Sequence, residues 1–216
     1  IRDTFIQICE EIIESQKKLP FILPTIFVIE PKENVLPALI TPYYENRSLR
    51  DLILKQSNGI NIDGFFEPQK MILIYCLSLF LEKLHSINQF HGRLKASNII
   101  IDDNFNPLVS DLFLNKLCDM KDEKSNDFIA SCHPDQFLYN NSTEKSDIYS
   151  FGIIGIQIFY GKIDQTDPDE IINEIKIMNS NDRVKVPIKY LSIFFQCLSK
   201  NPDDRPSASS IKEGFF

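Results

Sequence analysis

The spacing of apolar and polar positions predicts a helix at the start of the chain. Over "DTFIQICEEIIESQKK", residues 3–18, Phe5, Ile8, Cys9 and Ile12 fall on one face at helical spacing, with the charges elsewhere. "TIFVIE" and "ALITPYY" read as strands, and the turn-rich "PKENVLP" between them makes a hairpin. In "SLRDLIL", Ser48 followed three residues later by Asp51 is a capping-box pattern that opens a short helix. A long helix is expected from about Pro68 to Ser86, then a second small hairpin from "NIII" and "PLVS" across "DDNFN". Beyond Ser142 the pattern is helical throughout: Thr143 to Tyr160, a helix from Pro168, Ile188 to Leu198, and a last one from Ser207, after Pro206. Strands gathered early and helices late give the class α+β.

Composition narrows this picture. The 216 residues, 43% of them hydrophobic, suffice for one generous domain or two small ones. A formal charge of −7 argues against nucleic acid and anionic membrane as partners, since both draw on clustered Lys and Arg. Cys9, Cys76, Cys118, Cys132 and Cys197 are scattered and form no C-x-x-C pair, which points to a reducing, cytoplasmic compartment rather than a disulfide framework or a zinc site. "MILIYCLSLFLEKLH" and "IYSFGIIGIQIFYG" fall short of the roughly 20 apolar residues of a membrane span, so both are expected as buried helices. Charges at Arg2, Asp3, Glu10 and Glu11 break any signal-peptide pattern, and the start at Ile is in keeping with a fragment of a longer protein.

The chemistry sits in "HGRLKASN", "SDLFLNK", "HPDQF", "KSDIYSFGIIGIQIFYGK" and "CLSKNPDDRPS". In this order and near this spacing they resemble the catalytic loop H-R-D-L-x-x-x-N, the D-F-G segment, the A-P-E segment, the central helix and the late arginine segment of a eukaryotic protein kinase. The resemblance runs over nearly the whole chain and implies a kinase-like fold. Residues 1–46 would be a partial small lobe and hinge, and residues 47–216 the mostly helical large lobe. It also implies ATP and Mg²⁺ as cofactors and other signalling proteins as partners.

Each residue has a plain reading beside the one the resemblance implies. His91 reads as a packing and hydrogen-bonding core residue, and kinases use it so. Lys95 is a surface loop lysine, or by resemblance a contact to the transferred phosphate. Asn98 and Asp111 are a turn-capping Asn and a hairpin-end Asp, or by resemblance the Mg²⁺ ligands, supplying the hard oxygens that ion accepts. Thr41 aligns with the residue behind the adenine pocket, and Pro42, Tyr43 and Tyr44 with the hinge.

Arg93 departs from the pattern, because it stands where an active kinase carries the Asp that orients the substrate hydroxyl. A guanidinium has no acceptor. It is expected to pair with Asp111 instead, since a bidentate carboxylate offsets the cost of a charge in a closed cleft. Gly92 replaces the Arg that receives an activation-loop phosphate, which leaves phosphorylation near Ser125 or Ser131 without its docking charge. Asp111-Leu112-Phe113 keeps the acid of D-F-G but loses the Gly that lets a backbone visit φ > 0. Leu112 is expected to fill the pocket of the missing Phe.

The scaffold positions are kept. Asp135 and Arg205 align with the family's buried ion pair, and Asp147 is expected to cap the central helix and brace the catalytic-loop backbone. Glu10, or Glu11 beside it, aligns with the helix Glu of the small lobe. The chain starts at that helix, so the Gly-rich strand pair and strand Lys are outside it, and the hairpin is expected to show an unprotected edge. Two functions follow: a pseudokinase acting as a signalling or binding module, or a weakly active ATP-dependent Ser/Thr or Tyr kinase with its missing strands supplied upstream.

Overall fold

In a computed structural model that describes residues 2–33, 35–113, 142–161, 167–180 and 186–215, these described residues form seven α-helices and two antiparallel two-stranded sheets. Helix α1 (Arg2–Gln16) buries Phe5, Ile8, Cys9 and Ile12, the face its spacing defines. β1 (Phe27–Ile29) pairs with β2 (Ala38–Ile40) with Val28 opposite Leu39. This hairpin is the least covered element: Ile26, Phe27 and Leu36 are exposed, Leu36 at 86%.

Helix α2 (Leu49–Ser57) starts at the expected cap, with Ser48 Oγ accepting from Asp51 N and the Asp51 carboxylate accepting from Ser48 N at 3.2 Å. Each partner satisfies a donor that the first turn leaves open, worth about 1 kcal/mol. Helix α3 (Glu67–Ser86) carries Pro at its first turn, where the missing N–H costs nothing. β3 (Ile99–Ile101) and β4 (Pro107–Val109) form the second hairpin, with Ile100 opposite Leu108. The class is α+β, as the element order implied.

Helix α4 (Glu144–Tyr160) is the core of the large unit: every residue from Ser146 to Phe159 is buried. Its cap corrects the sequence expectation. Thr143 Oγ1 accepts from Ser146 N and Ser146 Oγ accepts from Thr143 N, so the helix is capped by Thr143 and not by Asp147. This leaves the Asp147 carboxylate for other partners. Helices α5 (Pro168–Ser180), α6 (Ile188–Cys197) and α7 (Ala208–Gly214) follow, the last capped by Ser207. Gly152 and Gly155 on α4 admit α6 closely, with Phe194 of α6 tilted against Phe151 and Phe159 at centroid distances of 6.3 and 6.5 Å.

Among the described residues no helix is long and apolar enough to cross a membrane, so α3 and α4 are core helices. Cys9, Cys76 and Cys197 are buried free thiols, and burial raises each above the usual thiol range. Cys118 and Cys132 lie outside the described residues.

Candidate functional site

The loop from His91 to Asn98 is built by three brackets. The first is Asp147, 1% exposed, whose Oδ2 accepts from His91 N at 2.7 Å and whose Oδ1 accepts from Gly92 N at 2.8 Å. The His85 ring, at the end of α3, contacts the same carboxylate through Nε2 at 3.1 Å. Because Asp147 Oδ2 is an acceptor, that ring nitrogen carries the hydrogen. The bracing expected of Asp147 is therefore present, and His85 is a partner that sequence reasoning missed.

The second bracket is His91 itself. Its Nδ1 accepts from Arg93 N at 3.1 Å and its Nε2 donates to the Ser110 carbonyl at 2.8 Å, which fixes the neutral tautomer. Complete burial, the largest influence, pushes its pKa down, with Asp147 and Asp111 opposing and Arg93 assisting. As a result stability is expected to fall as pH drops from about 7.5 to about 5.5, because the unfolded chain binds a proton near pH 6.5 that the folded imidazole does not. This single group sets a slope of at most about 1.4 kcal/mol per pH unit. Urea midpoints of the wild type and His91→Gln across that range measure it; parallel pH profiles would show that His91 contributes nothing.

The third bracket is Asn98. Its Nδ2 donates to the Arg93 carbonyl at 3.0 Å, and its own carbonyl accepts from Ser110 N at 2.9 Å. A 3₁₀ turn at Ala96–Asn98, opened by Lys95 in extended conformation, joins the loop to β3. Arg93 and Lys95 are each 8% exposed, so both cations are buried in the loop rather than solvated on its surface.

Ser110 leads directly into Asp111, which is half-buried and holds a left-handed φ of 60°. Asp tolerates that region through its short polar side chain. Leu112 is 2% exposed and takes the apolar position expected of it. Phe113, where the motif has Gly, also adopts a left-handed φ of 64° and is 3% exposed. Strain of about 1–2 kcal/mol at such a residue is offset by burying an aromatic ring, worth about 1.5–3 kcal/mol. The backbone demand that usually selects Gly is thus kept without the Gly.

Gly92 takes φ +74°, a conformation L side chains rarely adopt, so its backbone is set by geometry while the phosphate-reading charge is gone. Among the described residues no ion pair joins Arg93 to Asp111, and Arg93 makes its contacts with other groups. The expected pairing is corrected accordingly. Glu10 is exposed on α1 with no ion-pair partner among the described residues. Arg205 is buried, donating to the Ser199 and Lys145 carbonyls at 2.9 and 2.8 Å and lying 5.1 Å from the Tyr149 ring centroid. Asp135, Ser125 and Ser131 fall outside the described residues.

A cavity of 280 Å³ is lined by Leu23, Thr41, Pro42, Tyr43, Tyr44 and Ile100, together with Arg47, Ser48 and Asp51 at the start of α2. Thr41, Tyr43 and Tyr44 are thus brought to one hollow. Leu23 reaches it because the segment before β1 docks on β4, Leu23 N donating to Val109 O at 2.9 Å. Ile100 on β3, two residues beyond Asn98, is the lining residue nearest the loop in sequence.

Known proteins are similar to this one in sequence over most of the chain. The LRR receptor-like serine/threonine-protein kinase RGI2 of Arabidopsis thaliana is 30% identical over 195 residues, covering 80% of this chain and 17% of that protein. The dual specificity protein kinase pyk3 of Dictyostelium discoideum is 29% identical over 186 residues, 81% of this chain and 13% of the relative. The LRR receptor-like serine/threonine-protein kinase FEI 2 of Arabidopsis thaliana is 29% identical over 199 residues, 80% of this chain and 33% of the relative. The chain spans well under two thirds of each. The family model described as protein tyrosine and serine/threonine kinase matches residues 5–215, so the chain belongs to that family and has its mostly helical fold with a remnant small lobe.

Proposed function

We propose that the chain is a pseudokinase domain, a kinase scaffold that serves as a signalling or binding module without efficient phosphoryl transfer. The observation that carries this reading is Arg93: a buried guanidinium, 8% exposed, stands in the bracketed loop where the family holds its base. It offers only donors and cannot accept the proton of an acceptor alcohol. A positioned base contributes roughly 10²–10⁴ in rate, and that contribution is missing. The brackets from Asp147, His91 and Asn98 support a loop kept for its shape.

Thr41, Tyr43 and Tyr44 with Ile100 and Leu23 form a largely apolar hollow of the kind a flat heterocycle enters, and Pro42 there lacks an N–H but retains its carbonyl. Asn98 and Asp111 would be the metal-holding oxygens, and it is the Asn98 Nδ2, not the ligating oxygen, that is bound to the Arg93 carbonyl. Partners would be other proteins of a signalling pathway, bound by the folded scaffold.

Incubation with radiolabelled ATP, Mg²⁺ and generic Ser/Thr and Tyr protein substrates tests the proposal. Label incorporation is expected to stay at the background of an Asp111→Ala variant. Transfer by the wild type that Asp111→Ala abolishes would overturn it in favour of a weak kinase.

A further inference from the structure

We propose that the hollow between the end of α3 and the starts of α4 and α7 is a docking site for an arginine side chain of a partner protein, linked through His85 to the loop that Asp147 braces. The hollow measures 290 Å³, room for one long side chain rather than a drug-sized molecule. Ile148, Pro206 and Ala208 give it an apolar lining, and Glu82, His85 and Glu144 bring polar groups to it. It shares no lining residue with the cavity at Thr41 and Ile100.

Most polar groups on this wall are already engaged. The Glu82 carboxylate accepts from Lys212, and Lys145 donates to the Arg205 carbonyl. Ser86 Oγ donates to the Lys83 carbonyl, and Ser207 Oγ accepts from Ser210 N at the cap of α7. Two acceptors are left over. One is Glu144, exposed in the first turn of α4 and without an ion-pair partner among the described residues. The other is His85 Nδ1. The His85 side chain is 9% exposed and its Nε2 hydrogen goes to Asp147, so in the neutral ring Nδ1 is an acceptor. Nδ1 has no partner among the described residues and is not sealed from solvent, and the hollow is where its ring meets open space.

Leftover acceptors above an apolar floor select an occupant with donors, a positive charge and an apolar stem. Arginine combines these: N–H donors in a planar fork, no acceptor, and a methylene stem that packs on apolar surface. An anion is served poorly, because Lys145 is turned to Arg205 and the first turns of α4 and α7 are closed by Thr143 and Ser207. A guanidinium on Nδ1 holds the His85 ring in the tautomer that donates to Asp147. Asp147 in turn holds His91 N at 2.7 Å and Gly92 N at 2.8 Å. Opening the loop releases Asp147 and His85 and so dismantles the site. Occupancy of the hollow and closure of the loop therefore favour each other.

The test is NMR titration of the full isotope-labelled chain with N-acetylarginine methylamide, and with its citrulline analogue as an uncharged control of similar shape. Saturable shifts are expected at the His85, Glu144 and Ala208 amides and in the His85 ring nitrogens, with citrulline about 10-fold weaker for want of a charge-assisted bond. Glu144→Gln should weaken arginine binding by a similar factor; circular dichroism melts confirm that the variant is folded. With arginine at about ten times its dissociation constant, amide exchange at His91 and Gly92 should slow about 10-fold by mass action. Shifts that never saturate, or that citrulline reproduces, overturn the docking site, and unchanged exchange at Gly92 with the hollow filled overturns its link to the loop. The site rests on the binding role proposed above and not on the lack of transfer, so label incorporation decides the pseudokinase reading and this titration decides the hollow.

Discussion

Replacing Asp147 by alanine is expected to cost about 3–5 kcal/mol of folding stability, the largest single effect of any substitution that touches the loop. The carboxylate is 1% exposed and holds His91 N at 2.7 Å and Gly92 N at 2.8 Å, with the His85 ring as third partner. Alanine leaves two buried backbone donors with no acceptor, and each such orphan costs about 1–3 kcal/mol. In a domain of this size a kcal/mol corresponds to about 2–4 °C, so the melting temperature should drop by roughly 10 °C or more.

Three controls separate bracing from helix capping. Thr143→Ala removes the true cap and should cost only about 1 kcal/mol. Asp147→Asn keeps one oxygen but turns an amide NH₂ towards a donor, so it should fall between alanine and wild type. His85→Ala leaves both backbone bonds in place and should be milder than either Asp147 change. Urea denaturation ranks them, and amide exchange at His91 and Gly92 should accelerate in Asp147→Ala ahead of the α4 interior. If Asp147→Ala and Thr143→Ala cost the same, the brace is not what holds this loop.

Much of this architecture is written locally, and what was legible is what local chemistry decides. The Ser48 cap could be read because both halves of its box lie within four residues. The buried face of α1 followed from spacing alone. The cap of α4 was misassigned because a conspicuous acid at Asp147 drew the role, whereas the actual box uses Thr143 and Ser146, whose hydroxyls leave a weaker sequence signal. The His85 contact could not be read, since the two residues are 62 positions apart and meet only when α3 packs on α4.

The site shows the same division. Loss of the D-F-G glycine predicted a conformational conflict at residue 113, and the left-handed Phe113 bears out the demand while its buried ring explains the tolerance. The Arg93–Asp111 pair failed because pairing was inferred from charge alone. The backbone of Arg93 is held between His91 Nδ1 and Asn98 Nδ2, and that framework fixes where the residue starts before any charge is considered. A sequence names the cations and anions of a cleft; which of them meet depends on hydrogen bonds from residues such as Ser110 that carry no motif.

Gly155→Ala should destabilise the protein by about 1–3 kcal/mol, although alanine is the better helix former by about 1 kcal/mol in an exposed helix. A Cβ at this position would lie 2.4 Å from Phe194 Cε1, 2.6 Å from Cδ1 and 2.8 Å from Cζ, all well inside contact distance. Phe194 cannot yield easily: it is fully buried, with the rings of Phe151, Phe159 and Phe215 at centroid distances of 6.3, 6.5 and 6.5 Å. The helix propensity gain is therefore outweighed by overpacking at the α4–α6 contact. Shortening the obstructing ring should reverse the sign, so in a Phe194→Leu background Gly155→Ala is expected to be neutral or stabilising. A double-mutant cycle from urea denaturation reads this coupling directly. Should Gly155→Ala stabilise the chain with Phe194 intact, the close approach of α6 to α4 would be wrong, and with it the packing that seats Asp147 beneath the loop.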